Sequence, residues 1–235
     1  MKNFCALARS HLFAKRGTGT FFRIEHRLWL VTASHVVPDE RALRALSVPL
    51  RTASQYLSLG NCTLYRPHNL NLDVAIILIQ DQEFEPLAEE NWRILNQSNV
   101  TRFDHRNTKY VVAGYPQETL ARKGLARFLH ADLHQSLFWW ATDADHSILR
   151  LSYATSAPSS IGAITNTPHL GGLSGSPVWN VIPAMSAPWA AEKILVVAIQ
   201  VSFKHSEYIA AGWWTLVIEV FHRWATNERS KCSPD

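Results

Sequence analysis

Short β-type runs separated by turn residues constrain the fold of this chain more than any other feature. GTGTFFRI (17–24) and LWLVTASHVV (28–37) flank a polar turn at 25–27 and predict a β-hairpin. DVAIILI (73–79) is a continuous apolar run, which is typical of a strand buried on both faces. QYLSLGNCTLYR (55–66) predicts two more strands about its central glycine and asparagine. The sequence therefore indicates an all-β protein of the barrel or sandwich type.

A polar stretch at 96–107 divides these runs from a second set, which is KYVVAGYP, LARFLHADL, HSILRLSY, GSPVWN, ILVVAIQVSF and SEYIAAG. We therefore predict two β-domains, residues 1–105 and 106–235. Helical pattern is credible in only two places. One is 39–47, and the other is WWTLVIEVFHRWA near the C-terminus, where apolar side chains recur at i, i+4 and i+8.

Composition narrows the class of protein and its compartment. The chain has 235 residues, is 47% hydrophobic and 18% charged, and can bury a large core. No apolar run approaches a membrane span, and FCALA near the start is too short for a signal peptide, so we expect no membrane partner. The cysteines, three in number, are widely spaced and lack metal-ligand spacing. They fit a reducing, cytoplasmic compartment and predict no metal site.

Basic residues cluster at the start of a chain whose net charge is +4. Residues 1–30 contain a single acid, Glu25, against six basic side chains, Lys2, Arg9, Lys15, Arg16, Arg23 and Arg27. Such a cluster either contacts nucleic acid or an acidic partner, or is a solvated face. Because the charge excess is small and no recognition motif accompanies it, we favour the solvated face and expect no nucleic-acid partner.

Ser174 lies among glycines in the stretch TNTPHLGGLSGSPVW (165–179). Such a stretch is either a plain turn or a site where backbone N–H groups face a reacting atom. A nucleophilic serine needs a histidine base and an acid that orients it. The elbow G-x-S-x-G fails because residue 176 is serine, and no aspartate precedes His35, which excludes the subtilisin order with that base.

The order that remains is histidine, aspartate, serine. His35 follows an apolar run, and Asp73 stands at the mouth of a buried strand, where a carboxylate needs a partner. Ser174 lies in the second half of the chain. We therefore expect a site in the cleft between two domains.

Five motifs of this chain resemble those of the chymotrypsin-fold serine proteases, in their bacterial HtrA-like and trypsin-like branch. In chain order they are GTGTFF, LVTASHVV, LDVAII, VVAGYP and GLSGSPV. The resemblance covers about residues 17–212. It implies two antiparallel six-stranded β-barrels with a C-terminal helix. It also implies a serine endopeptidase that forms an acyl-enzyme with protein or peptide substrates and needs no cofactor. His35 matches the base, Asp73 the orienting acid and Ser174 the nucleophile, and the N–H groups of Gly172 and Ser174 match the oxyanion hole.

Two positions depart from the digestive members of this family. Leu173 stands where they carry the aspartate that pairs with a newly cut N-terminus, so we do not expect activation of that kind. Pro168 occupies the position of the aspartate that gives trypsin-type specificity. The resemblance assigns the pocket wall to Gln200, Val201 and Ser202, and we predict a small or uncharged preferred side chain. We expect narrow specificity or a regulatory partner protein to restrain the activity.

Two other functional classes are compatible with the sequence. A catalytically inactive protease-like binding or scaffold domain is one, and the presence of all three triad residue types weighs against it. A basic nucleic-acid-binding β-domain is the other, and no motif supports it. Labelling by a fluorophosphonate probe separates an active serine hydrolase from both.

Overall fold

The computed structural model describes residues 5–9, 14–50, 56–66, 72–101, 109–115, 120–122, 129–131, 134–138, 141–144, 148–152, 156–158, 164–166, 170–181, 194–204, 208–213, 217–219 and 221–222. Over these residues the chain is mostly β with few helices, which confirms the predicted class. Pro168 and the predicted domain boundary at 105–106 lie outside the described residues.

Over the described residues, the first sheet contains eight strands in the order β5-β4-β1-β2-β3-β7-β6, with β8 beside β2. Their bounds are β1 Cys5–Arg9, β2 Ala14–Ile24, β3 Arg27–Ala33, β4 Leu46–Pro49, β5 Tyr56–Ser58, β6 Thr63–Tyr65, β7 Val74–Ile79 and β8 Leu95–Asn96. The predicted hairpin is β2 and β3, joined by a two-residue turn in which Glu25 and His26 have φ of 49° and 63°. All six residues of β7 are buried, as the apolar run predicts.

The second sheet, as far as the described ranges show it, contains seven strands in the order β12-β9-β17-β18-β19-β14-β13. Their bounds are β9 Lys109–Gly114, β12 His134–Phe138, β13 Ala141–Ala144, β14 Ile148–Ser152, β17 Pro177–Val181, β18 Ile194–Lys204 and β19 Tyr208–Trp213. Two further ladders of two strands each pair β10 (Leu120–Arg122) with β11 (Leu129–Ala131), and β15 (Ser156–Pro158) with β16 (Ile164–Asn166).

The two large sheets match a chymotrypsin-like architecture only in part. Their strand pairs are antiparallel apart from β2 with β8, and each sheet runs as an open path over the described residues. Closure into two six-stranded barrels therefore stays a prediction. The strands at 56–58 and 63–65 exist as predicted, but they pair with β4 and β7 and not with each other.

The helices are short and partly unpredicted. The predicted helix at 39–47 is α1, Glu40–Arg44, which Asp39 caps by accepting a hydrogen bond from Ala42 N. It is shorter because β4 begins at Leu46 and pairs with β1 and β5. The sequence did not predict α2, Phe84–Asn91, which buries Phe84. Two glutamates of this helix, Glu85 and Glu89, form ion pairs with Arg23 of β2. Tertiary contacts thus decide a helix whose own periodicity is weak.

Within the described part of the chain, three clusters of buried apolar side chains hold the structure together. One lies in the first sheet and another in the second. The remaining cluster contains side chains of both sheets, among them Trp29 of β3 and Trp179 of β17. It also contains Phe221, whose ring centroid lies 5.0 Å from that of Trp29, so the helical residues at 217–219 and 221–222 pack there. Among the described residues, no helix is both long and apolar enough to cross a membrane.

Candidate active site

His35 and Asp73 meet because two neighbouring strands end and begin side by side. In the antiparallel pair of β3 and β7, Ala33 lies opposite Val74. The chain leaves β3 in a 3₁₀ turn, Ser34–Val36, and enters β7 directly after Asp73. Ser34 N donates to Asp73 O at 3.1 Å, which fixes the two loop ends to each other.

The carboxylate of Asp73 binds His35 through both of its oxygens. Oδ1 accepts from the backbone N of His35 at 3.0 Å, and Oδ2 lies 2.6 Å from Nδ1 of the ring. A carboxylate at this distance accepts a hydrogen bond from Nδ1–H, so Nε2 of the neutral ring carries the free lone pair. The two side chains are 51% and 37% exposed, which leaves the ring open to solvent and to a substrate.

Ser174 lies in two consecutive turns, which we call the double turn, residues 170–176. Leu173 N donates to Leu170 O at 3.0 Å and Ser176 N donates to Leu173 O at 2.8 Å. The third residue of each turn is a glycine, and Gly172 and Gly175 have φ of 90° and 93°. Turns with this hydrogen bond and a positive φ at the third position are of type II, which explains why both positions are glycine.

The double turn presents two backbone donors that have no partner in the part of the chain that the structure describes. Within the described part of the chain, the N–H groups of Gly172 and Ser174 donate no hydrogen bond. The carbonyls of the same two residues do have donors, because Thr18 Oγ1 donates to Gly172 O at 3.0 Å and Thr18 N donates to Ser174 O at 2.8 Å. Leu173 between them is fully buried and anchors the turn in the core of the second sheet. The arrangement can bind an oxyanion.

Gly17 of β2 lies where the two parts of the site approach each other. A Cβ built on it would lie 2.7 Å from Val36 Cγ2 and 3.0 Å from Ser174 O. The residue after His35 and the backbone of Ser174 therefore contact the same glycine. Ser174 is 8% exposed. Among the described residues no hydrogen bond joins its hydroxyl to the His35 ring, a contact that enzymes often complete only with substrate bound.

The residues predicted for the pocket wall lie on β18 beside the double turn. Gln200 is fully buried, and its backbone is used by the turn, since Gly175 N donates to Gln200 O and Gln200 N donates to Ser176 O, both at 2.8 Å. Val201 is 5% exposed, and Ser202 is exposed to solvent. The pairing of β18 with β19 shifts register between Gln200 and Ser202. An irregularity of this kind changes the direction in which the side chains of a strand point.

Sequence reasoning missed the threonines that join the two parts of the site. Thr32 Oγ1 donates to Thr18 O at 2.7 Å, and both residues are fully buried. The signal was the alternation of glycine and threonine in GTGT, which places Thr18 and Thr20 on one face of a strand. Buried hydroxyls need partners, and here the partners are backbone carbonyls.

Comparisons with known proteins support the fold and no finer assignment. No family model matches the chain, and no curated protein matches it. Among solved structures, the protease Anisep of Arthrobacter nicotinovorans is 15% identical, with a TM-score of 0.51 over 91% of this chain and 90% of that one. A structure described for the folding and binding of the disordered Sesbania mosaic virus VPg protein is 14% identical, with a TM-score of 0.51 over 91% and 87%.

A weaker likeness is to the apo form of the MamO protease domain of Magnetospirillum magneticum. It is 10% identical, with a TM-score of 0.48 over 93% of this chain and 95% of that one. At such identities only the fold is comparable. The likeness to Anisep supports a chymotrypsin-like protease fold for this mostly-β chain, and nothing finer.

Proposed function

We propose that this protein is a serine endopeptidase of the chymotrypsin fold, with His35 as the base, Asp73 as the orienting acid and Ser174 as the nucleophile. The observation that carries the proposal is that the N–H groups of Gly172 and Ser174 have no partner among the described residues, in a turn that also holds a serine. Backbone donors are costly to leave without partners, so their coincidence with a serine and a His–Asp pair favours catalysis over a plain turn.

The mechanism is acyl transfer. His35 Nε2 takes the proton of Ser174 Oγ while that oxygen forms a bond to the carbonyl carbon of the scissile peptide. Asp73 Oδ2 keeps the proton on Nδ1 and stabilises the imidazolium that forms. The N–H groups of Gly172 and Ser174 stabilise the negative charge on the former carbonyl oxygen. His35 then gives its proton to the leaving amine, and water hydrolyses the ester by the same route.

The substrate is an extended segment of a protein or peptide. Beyond Gln200, β18 pairs with β19 on one edge, and no described strand pairs with its other edge. An extended chain can add to such a free edge by backbone hydrogen bonds. Ser202 is exposed there and lies two residues after the buried Gln200, whose backbone supports the double turn. Together with Val201 they form the proposed substrate-binding stretch.

A fluorophosphonate probe tests the proposal without knowledge of the substrate, because it phosphonylates only a serine that a working base activates. We expect the intact chain to be labelled at Ser174 and Ser174→Ala to be unlabelled. Ser176→Ala is the matched control, since the Ser176 hydroxyl is buried and without a partner among the described residues. It should be labelled like the wild type.

Peptide-library cleavage then gives the preferred side chain. Absence of labelling and of cleavage by the folded wild-type chain would contradict the proposed activity. That result would favour the alternative, a protease-like binding or scaffold domain without catalysis.

A further inference from the structure

Thr18 is a buried residue of β2 whose every polar group is used at the boundary between the two parts of the site. Its N and Oγ1 donate to Ser174 O at 2.8 Å and to Gly172 O at 3.0 Å. Its carbonyl oxygen accepts from Thr32 Oγ1 at 2.7 Å. Thr18 is fully buried, with a relative accessible area of 0%. These contacts are stronger evidence of a positioning role than burial alone.

The carbonyls that Thr18 holds belong to the peptide planes that flank the proposed oxyanion donors. The plane that contains Gly172 O follows the Gly172 N–H, and the plane that contains Ser174 O follows the Ser174 N–H. The Ser174 N–H itself lies in the plane between these two. The Gly172 N–H lies in the plane just before the first of them, so the plane of each N–H group shares a Cα with a plane that Thr18 holds. Because peptide units are rigid, these contacts limit the rotation of both N–H groups.

The third contact of Thr18 connects the double turn to the strand that carries the base. Thr32 lies on β3 three residues before His35 and donates its hydroxyl proton to the Thr18 carbonyl. The chain of hydrogen bonds therefore runs from β3 through Thr18 to the backbone of Ser174. Catalytic groups that act together must be held to within a fraction of an ångström, so such a connection has a direct effect on rate.

We propose that Thr18 is a positioning residue that holds the Gly172 and Ser174 N–H groups in register with His35. This inference rests on the proposed serine peptidase activity and adds a residue outside the triad to it. The side-chain hydroxyl is the group that does this, because the backbone N–H of Thr18 would survive any substitution other than proline.

The test is the rate at which a fluorophosphonate probe labels Ser174, separated into the probe's KI and the inactivation rate constant kinact. We expect Thr18→Val, which keeps the branched shape and loses the hydroxyl, to lower kinact by about ten- to a hundredfold with KI unchanged. Thr18→Ser, which restores the hydroxyl, should recover kinact to within about threefold of the wild type.

Thr20→Val is the matched control. Thr20 lies on the same face of β2, is fully buried, and its Oγ1 is 3.4 Å from Gly175 O, in a peptide plane that carries neither of the two N–H groups. We expect its kinact to stay within about threefold of the wild type. Thermal unfolding of each variant measures any common loss of stability.

A second variant keeps the inference testable if Thr18→Val does not fold. Thr32→Val leaves Thr18 intact and removes only its link to β3, and should lower kinact by several-fold with KI unchanged. Labelling of Thr18→Val at the wild-type rate, an equal loss in Thr20→Val, or failure of Thr18→Ser to recover the rate would each overturn the inference alone. In a folded but unlabelled wild-type chain, the peptidase proposal fails, and this inference fails with it.

Discussion

The two parts of the candidate site are built in opposite ways. His35 and Asp73 are 51% and 37% exposed and are held by contacts between two adjacent loop ends of one sheet. Ser174 is 8% exposed, and its turn is held by backbone hydrogen bonds from β2 of the first sheet and β18 of the second. The exposed part offers side-chain chemistry, and the buried part offers backbone geometry.

From this difference we expect that mutations in the exposed part lower activity without lowering stability, whereas mutations in the buried part lower both. An exposed pair of side chains contributes little to folding, because solvent replaces most of what its removal leaves unpaired. A buried turn with two positive-φ glycines is part of the packing between the sheets, so a change there strains the fold and the site together.

The largest expected effect is on activity alone. His35→Ala should lower turnover by at least about 10⁴-fold, because the base is lost and triad members act as a unit. The free energy of unfolding should change by less than about 1 kcal/mol. Peptide hydrolysis and urea denaturation measure the two quantities. His26→Asn, at an exposed turn position with φ of 63°, is the control histidine and should leave both unchanged. Wild-type turnover in His35→Ala would exclude His35 as the base.

Asp73→Asn should also separate the two quantities, with a loss of turnover of about 10⁴-fold. The amide oxygen can still accept from His35 N, but the amide N–H₂ faces Nδ1 and favours the wrong tautomer of the ring. Asp39→Asn is the control, because asparagine also caps helices and α1 should persist. Equal turnover in the Asp73 and Asp39 variants would contradict the assigned role.

Gly175→Ala should lower both the stability of the fold and the reactivity of Ser174. A Cβ there would overlap the Thr18 carbonyl oxygen, and φ is +93°. We expect the free energy of unfolding to fall by at least about 2 kcal/mol and probe labelling of Ser174 to fall with it. In Gly60→Ala the nearest atom to the new Cβ is Ser58 Oγ at 3.3 Å, and the change should stay under about 1 kcal/mol. If Gly175→Ala kept full stability and labelling, the two parts would not differ as described.

No effect on turnover is expected at a group remote from the reacting atoms, the Cys62 thiol in the core of the first sheet. Burial, with a smaller contribution from the charge of Asp81, raises the pKa of the Cys62 thiol to about 12. The native thiol at mildly alkaline pH should therefore react with iodoacetamide about 10³-fold more slowly than the unfolded one. Mass spectrometry of a Cys5→Ser, Cys232→Ser variant measures this. Rapid alkylation of the native chain would show that the core of the first sheet opens easily.

Local patterns predicted much of what the structure describes. The apolar run at 73–79 became β7, and the hairpin of β2 and β3 follows the two runs and the polar turn between them. The order of His35, Asp73 and Ser174 could be proposed because each stands at the end of such a run or among glycines. The structure brings His35 and Asp73 into hydrogen-bond contact. Their catalytic roles stay proposals.

The helix α2 and the partners of β5 and β6 could not be predicted in this way. The pairing of Arg23 with Glu85 and Glu89 joins elements far apart in the chain, and strand pairing depends on which edges are free after the rest has folded. The prediction of two closed six-stranded barrels came from a family resemblance, and the open strand paths leave it as a prediction.

The sequence by itself determined the β-rich class, the buried strand before which Asp73 stands, and the glycines at 172 and 175, because periodicity and positive φ are local properties of residue type. Only the tertiary structure decided that Thr18 of the first sheet holds the carbonyls on both sides of Leu173, while the N–H groups of Gly172 and Ser174 have no partner among the described residues. That arrangement joins residues far apart in the chain, since Thr18 and Gly172 are separated by 154 positions. No local pattern encodes it, because it depends on contacts between β2 of the first sheet and a turn that precedes β17 of the second.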